Sequence, residues 1–267
     1  MPELPEVECV RQGIVDALLG QRIVKVWSHG TGNLLDPNSL PLRRMEGCEL
    51  RAVARRGKYL LWNLGDLQFL AHLGMSGVWQ VAGERTKHTH LELTFSTGQC
   101  LRYTDPRQFG YMCLTTAAET LPRWEQLGPD AISAQWNAAH LFAHATRSRT
   151  PIKVFLLDQH QVAGIGNIYA SEALFGAHVH PARIAQSLTQ LECQHIVKAA
   201  KAVMRMSIRK RGTTFSDYRL TNGKGGSFQG FLKVFQKVGT PCPNCHAPIQ
   251  QMVQVGRSTF FCAKCQK

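Results

Sequence analysis

The chain has 267 residues, 44% apolar and 18% charged, enough for about two domains with cores of their own, and general disorder is excluded. No apolar run approaches the roughly 18 residues of a membrane span. The acidic opening Met1-Pro2-Glu3-Leu4-Pro5-Glu6 is not a secretory signal, so a cytoplasmic protein is expected. Lys and Arg total 31 against 18 Asp and Glu, yet residues 1–132 balance at 14 of each. The whole excess of +13 lies in 133–267, and seven basic residues but no acid follow Asp217. Such one-sided basicity points to a polyanion. Nucleic acid comes ahead of membrane lipid, because no basic amphipathic helix carries an aromatic face. A merely basic soluble surface stays open on charge alone.

Taken in chain order, Pro5 is placed to start a helix, and Val7, Val10, Ile14, Ala17 and Leu18 follow at helical spacing up to Gly20. From about Arg22 to Thr116 the pattern is one of short strands, among them Ile23–Trp27, Tyr59–Leu64, Leu67–Leu73 and Leu91–Phe95, with turns at Gly65-Asp66 and Thr97-Gly98. Many short antiparallel strands predict a sandwich or a barrel. Composition shifts at Gly128-Pro129-Asp130, and Ile152 to Arg211 reads as helices. There, a helix over Ile152–Gln159, a Gly-rich turn and a helix from Asn167 to Phe175 form a helix–turn–helix shape, with Asn167 as the expected N-cap. An ordinary helical hairpin is the plain alternative. Residues 222–230 carry four glycines in nine positions and read as a mobile loop. Neither Gly223-Lys-Gly-Gly-Ser nor Gly164-Ile-Gly-Asn satisfies a nucleotide phosphate motif.

Nine cysteines divide into two groups. Cys9, Cys48, Cys100, Cys113 and Cys193 are scattered in apolar contexts and read as buried free thiols. Cys242-Pro-Asn-Cys245 and Cys262-Ala-Lys-Cys265 are two C-x-x-C knuckles sixteen residues apart. This is the pattern of one four-thiolate Zn²⁺ site, closed and therefore structural. Between the knuckles, Ile249 to Phe261 has strand composition around Gly256-Arg257-Ser258, which predicts a hairpin with Arg257 near its tip.

Pro2 follows a removable Met1. A freed prolyl amine, with a pKa of about 8, is roughly one-tenth neutral at pH 7. Attack on a sugar aldehyde carbon would give an iminium that acidifies the neighbouring C–H and favours loss of phosphate. Glu3 and Glu6 stand close by as proton carriers. Taken alone this is weak, since most prolines at position 2 do nothing of the kind.

Six motifs in register carry a resemblance through the whole chain: Pro2-Glu-Leu-Pro-Glu-Val-Glu8, Gly57-Lys-Tyr59, His72-Leu-Gly-Met-Ser-Gly77, Asp105-Pro-Arg-Gln-Phe-Gly110, Gly164 to Glu172, and the terminal four-cysteine finger. Together they resemble the formamidopyrimidine-DNA glycosylase (Fpg, MutM) family, and Leu4 resembles that branch rather than the endonuclease VIII branch, which usually has Gly there. The resemblance implies an α+β fold: an N-terminal β-sandwich domain with flanking helices over 1–130, a helical domain with a helix-two-turn-helix over 131–235, and a zinc-finger β-hairpin over 236–267. It implies a monomer acting on damaged double-stranded DNA, associated with a bacterial nucleoid and not with membrane. The implied activity is excision of oxidised purines, notably 8-oxoguanine and formamidopyrimidines, followed by β,δ-elimination at the abasic site.

The resemblance also assigns roles. Pro2 is the implied nucleophile at C1′, Glu3 the main acid/base and Glu6 its support; Lys58 contacts phosphate and assists proton transfer, and Arg257 grips phosphate for the δ step. Met75, Arg107 and Phe109 match intercalating residues. Their types suit the task, because an extruded nucleotide leaves a hole that an apolar side chain can fill while Arg pairs with the orphaned base. Without the match, Met75 and Phe109 would read as core. His72, His88, Arg149, Lys153 and Asn167 match DNA-contact positions, and Glu172 matches a carboxylate near the lesion pocket. Residues 222–230 match the segment over the everted base, where Gly225-Gly-Ser-Phe228 and Ser216 depart from common versions. Gln108 stands where a basic residue is frequent. An endonuclease VIII-like preference for oxidised pyrimidines and a non-catalytic zinc-ribbon DNA binder are the competing readings.

Overall fold

A computed structural model describes residues 1–81, 83–215 and 218–267; Ser216 lies outside the described residues. The chain forms two compact units, 1–125 with 208–229, and 126–207 with 230–267. The division differs from the predicted domains in two ways. Residues 208–229 join the first unit, and the finger belongs to the same unit as the helices.

The first unit starts with α1 (Leu4–Leu18), where Glu3 is the N-cap and Pro5 lies in the first turn. Val7, Val10, Ile14 and Leu18 repeat at helical spacing and are buried in the core. Eight strands follow: β1 (Ile23–Ser28), β2 (Ala52–Arg56), β3 (Tyr59–Asn63), β4 (Leu67–His72), β5 (Val78–Gln80), β6 (Thr89–Phe95), β7 (Cys100–Thr104) and β8 (Tyr111–Thr116). They make two antiparallel sheets, β1-β6-β7-β5 and β2-β3-β4-β8. Alternate residues of both sheets, including Leu60, Trp62, Phe69, Trp79, Leu91, Leu93 and Tyr103, share one apolar core with α1. This is the expected sandwich. In β1 both Ile23 and Val26 face inward despite their odd spacing, because a register shift at residues 23–25 inserts the extra residue. A short α2 (Pro122–Glu125) ends the segment.

Residues 208–229 complete this unit. Tyr218 enters its core, and the Val81 N–H donates to the Thr221 carbonyl at 2.8 Å. Gly13 explains the close approach, since a Cβ there would lie 2.2 Å from Thr221 Oγ1. The predicted mobile loop is anchored: Phe228 is buried, and the Gly226 N–H donates to Thr214 Oγ1 at 2.8 Å.

The second unit holds α3 (Ala138–Ala145), α4 (Ile152–Leu157), α5 (Asn167–Gly176), α6 (Gln190–Arg209, its last two residues in the first unit) and the hairpin β9 (Gln250–Gln254)–β10 (Arg257–Phe261). Helix α4 stops two residues short of the expected Gln159, and Gly166, not Asn167, is the N-cap of α5. Of the scattered cysteines, Cys9, Cys113 and Cys193 are buried as expected, while Cys48 and Cys100 are partly exposed at strand and turn edges. No helix among the described residues is long and apolar enough to cross a membrane.

Candidate active site and nucleic-acid interface

Pro2, Glu3 and Glu6 are all buried where α1 begins. Glu6 Oε2 accepts the Glu3 backbone N–H at 2.9 Å, and Oε1 accepts the Thr213 N–H at 2.8 Å. Both oxygens are thus engaged, one on the entrance to the helix and one on the 208–229 strap. Glu6 is a positioning group for the N-terminus more than an idle proton carrier. Gly212 (φ 85°) lets the strap pass close, since a Cβ there would meet Tyr218 at 2.9 Å and Glu6 Cγ at 3.2 Å. The Tyr218 hydroxyl donates to the Arg211 carbonyl at 3.2 Å, and burial, with Cys9 and Glu6 nearby, raises its pKa and keeps it protonated.

Lys58 lies in the two-residue turn between β2 and β3, where Gly57 supplies the positive φ of 59°. It is only 5% exposed. The neighbouring basic residues are tied to protein: Arg55 Nε pairs with Glu8 at 2.9 Å, and Arg56 Nη1 donates to the Trp124 carbonyl at 3.4 Å. His72, directly across from Tyr59, packs against its ring at 4.6 Å between centroids with the planes tilted by 47°. Burial first, then the charges of Lys58 and Arg123, push His72 down to about 4. It is therefore neutral at pH 7. The Gly74 N–H donates to its Nδ1 at 3.0 Å, which places the ring proton on Nε2 as a donor.

Two loops are packed backbone to backbone next to it. A Cβ on Gly74 (φ 64°) would lie 2.4 Å from the Phe109 carbonyl, so only glycine fits. Asp105, fully buried, organises both loops. Its Oδ1 accepts from Ser76 Oγ at 2.5 Å and the Arg107 N–H at 3.3 Å. Its Oδ2 accepts from the Gly110 N–H at 2.8 Å and the Tyr103 hydroxyl at 3.2 Å. His88 joins the group, its carbonyl accepting the Asp105 N–H at 3.0 Å. The arrangement leaves Met75 39% and Phe109 56% exposed, with Arg107 4.9 Å over the Phe109 ring. Both apolar side chains thus stand exposed on carboxylate-pinned loops, not in the core where their type alone would put them. Gln108 sits between them at φ 52°. The organising role of Asp105 was missed from sequence; an acid between glycine-rich motifs was its signal.

In the second unit, Lys153 departs from the expected open DNA contact. It is completely buried. Its Nζ donates to Asn167 Oδ1 at 2.6 Å, Thr259 Oγ1 at 2.7 Å and the Ser258 carbonyl at 3.3 Å. Asn167 Nδ2 donates to the same Ser258 carbonyl at 2.9 Å. Freed from capping, the Asn167 amide joins Lys153 in tying α4 and α5 to β10. Glu172, also buried, accepts the backbone N–H groups of Lys233, Val234 and Phe235 at 2.9–3.1 Å. Burial raises its pKa, and those three bonds oppose the rise. Arg149 and Arg257 are exposed. Arg257 opens β10 just after a two-residue turn in which Val255 and Gly256 take φ 48° and 69°.

The four finger cysteines converge as predicted. Their sulfurs lie within 4.8 Å of one another, with Cys242–Cys265 at 3.8 Å and Cys245–Cys262 at 3.5 Å. A tetrahedron of 2.3 Å Zn–S bonds has edges of about 3.8 Å, so the donor set fits zinc. Four thiolates leave no open position, and the metal here is structural.

Comparison with known proteins agrees with this anatomy. Residues 1–112 match the formamidopyrimidine-DNA glycosylase N-terminal domain, 127–218 the formamidopyrimidine-DNA glycosylase H2TH domain, and 239–267 the zinc finger found in FPG and IleRS. The chain is 43% identical over 270 residues to a formamidopyrimidine-DNA glycosylase of Enterobacter sp. (strain 638), with 100% of both chains covered. The fold matches MutM (FPG) from Thermus thermophilus with a TM-score of 0.88 and 37% identity, over 99% of this chain and 98% of that one. It also matches Lactococcus lactis Fpg in complex with abasic-site DNA, with a TM-score of 0.90 and 30% identity, over 99% of each chain. The chain belongs to the formamidopyrimidine-DNA glycosylase family.

Proposed function

We propose that the chain is a DNA glycosylase/AP lyase that removes oxidised purines from duplex DNA through a covalent bond to Pro2. The observation that carries this reading is the start of α1, where Pro2 and Glu3 are buried together and Glu6 fixes the entrance through two backbone N–H groups. Once Met1 is removed, the Pro2 nitrogen attacks C1′ as the damaged base leaves with a proton; the nitrogen then gives up its own proton and the C1′–O4′ bond breaks, O4′ taking a proton from a carboxyl at the site, which opens the sugar. The resulting iminium acidifies C2′–H, a carboxylate at the site takes that proton, and the 3′-phosphate departs; a second elimination releases the 5′-phosphate. Water then hydrolyses the iminium and frees Pro2. Glu3 is the group proposed to move protons, with Lys58 and the Nε2–H of His72 holding phosphate. Met75, Arg107 and Phe109 fill and brace the gap left by the extruded nucleotide. Arg149 and Arg257 bind backbone phosphate, and zinc, held by Cys242, Cys245, Cys262 and Cys265, shapes the hairpin that presents Arg257. The protein works as a monomer in the bacterial cytoplasm.

Borohydride reduction during reaction with 8-oxoguanine DNA tests the mechanism. A trapped complex mapping to Pro2 is expected, and it should vanish when extra residues are left in front of Pro2. Full strand cleavage by that extended protein would refute the reading.

A further inference from the structure

One end of the β2-β3-β4-β8 sheet carries a row of side chains that continues past His72 to groups the proposed mechanism does not use. Arg56, Tyr59, His72 and Tyr111 face one another across four adjacent strands as a single row. The rings touch in sequence, Tyr59 on His72 at 4.6 Å and Tyr59 on Tyr111 at 6.5 Å. Arg123, from α2, closes the row with its guanidinium 4.3 Å over the Tyr111 ring. Helix α2 is itself tied down by the Arg56 bond to the Trp124 carbonyl.

The arrangement fixes an exposed cation in place. Arg123 is exposed, and Tyr59 and Tyr111 hold its plane. Asp36, the acid beside it, already accepts the Tyr111 hydroxyl at 2.7 Å and the Asn38 N–H at 2.9 Å. One donor of Arg123 is taken by a side-chain hydrogen bond to Tyr59; a stacked guanidinium keeps its other edge donors for a planar or tetrahedral anion, and its loss of rotamer entropy is already incurred. Two residues of the same row lie beside the candidate phosphate site, since Lys58 adjoins Tyr59 and His72 is the next member. Arg123 is close enough to His72 to help depress its pKa. Lys58 comes from the β2–β3 turn and Arg123 from α2 over the Tyr111 ring, so the two cations reach this end of the sheet from different elements and are set to address neighbouring phosphates.

We propose that Arg123 is a further DNA-backbone contact, binding a phosphodiester next to the one held by Lys58 and His72. The proposal rests on the glycosylase reading above and adds one cation to its interface.

The test is the salt dependence of binding to a duplex carrying a tetrahydrofuran abasic analogue, measured for wild type, Arg123→Gln and Arg123→Lys between about 50 and 200 mM KCl. Each neutralised phosphate contributes about 0.9 to the slope of log K against log salt. For Arg123→Gln the slope should flatten by about that amount and low-salt affinity should fall severalfold, while Arg123→Lys restores the slope. Thermal melting confirms that each variant is folded. An unchanged slope and affinity in folded Arg123→Gln would overturn the proposal. So would weaker binding at an unchanged slope that Lys does not rescue, because Arg123 would then only pin α2. Failure of wild type to bind the duplex at all would count against the glycosylase reading instead.

Discussion

The loops that carry Met75 and Phe109 and the hairpin that carries Arg257 are held in place by opposite means. The loops stand on a large aromatic and aliphatic core and are fixed by one buried carboxylate, Asp105, which accepts four hydrogen bonds. The hairpin is held by four thiolates, the buried ammonium of Lys153 and a small buried face of Thr259, Phe260 and Phe261 on β10. Rigidity can thus come from extensive apolar burial with one polar keystone, or from ligation over a small buried patch. The first resists ion removal, and the second does not.

Removing zinc separates the two most sharply. Structural zinc sites contribute about 10 kcal/mol or more to their segments. Chelation should abolish DNA binding, while the near-ultraviolet circular dichroism of the Trp62–Trp79 cluster, whose rings lie 5.3 Å apart, is unchanged. Simultaneous loss of both signals would mean that the finger also supports the sandwich. Asp105→Ala probes the other keystone. It strands buried donors from Ser76, Gly110 and Tyr103, at a cost of about 2–4 kcal/mol. Urea unfolding should register that loss, and lesion excision should fall while zinc content stays at one ion per chain.

The smallest effect is a pH dependence confined to the first unit. His72 is pushed from 6.5 to about 4 by burial and nearby cations, so the unfolded chain takes up its proton first. Stability should therefore be complete above pH 6.5 and decline as pH falls toward 4, by at most about 3 kcal/mol. Melting temperatures of wild type and His72→Gln across this range check the sign. The variant should show a flatter profile, and a steeper one would contradict the assignment.

Much of this was legible in the residues because the patterns are local. Helical spacing located α1, strand composition and turn signals located β1, β3, β4 and β6 together with the terminal hairpin, and the doubled C-x-x-C located the metal site. What stayed hidden depends on partners far along the chain. Asn167 looks like a cap by type, but its amide is claimed by Lys153 and Ser258, and Gly166 takes the cap instead. Lys153 looks like a surface cation until Thr259 and Ser258 enclose it. No local pattern announces that 208–229 return to the first unit; the odd Gly13 within α1 was the one trace, and it has meaning only beside Thr221.

The Glu6 clamp has a consequence for the order of events during synthesis. The amino end emerges from the ribosome first, yet one of the two N–H groups that seat Glu6 belongs to Thr213, more than two hundred residues later. A nascent polypeptide that has not yet reached residue 213 therefore lacks one of the two bonds that seat Glu6 at the start of α1. Under the mechanism proposed above, full alignment of Pro2 waits until translation is nearly over.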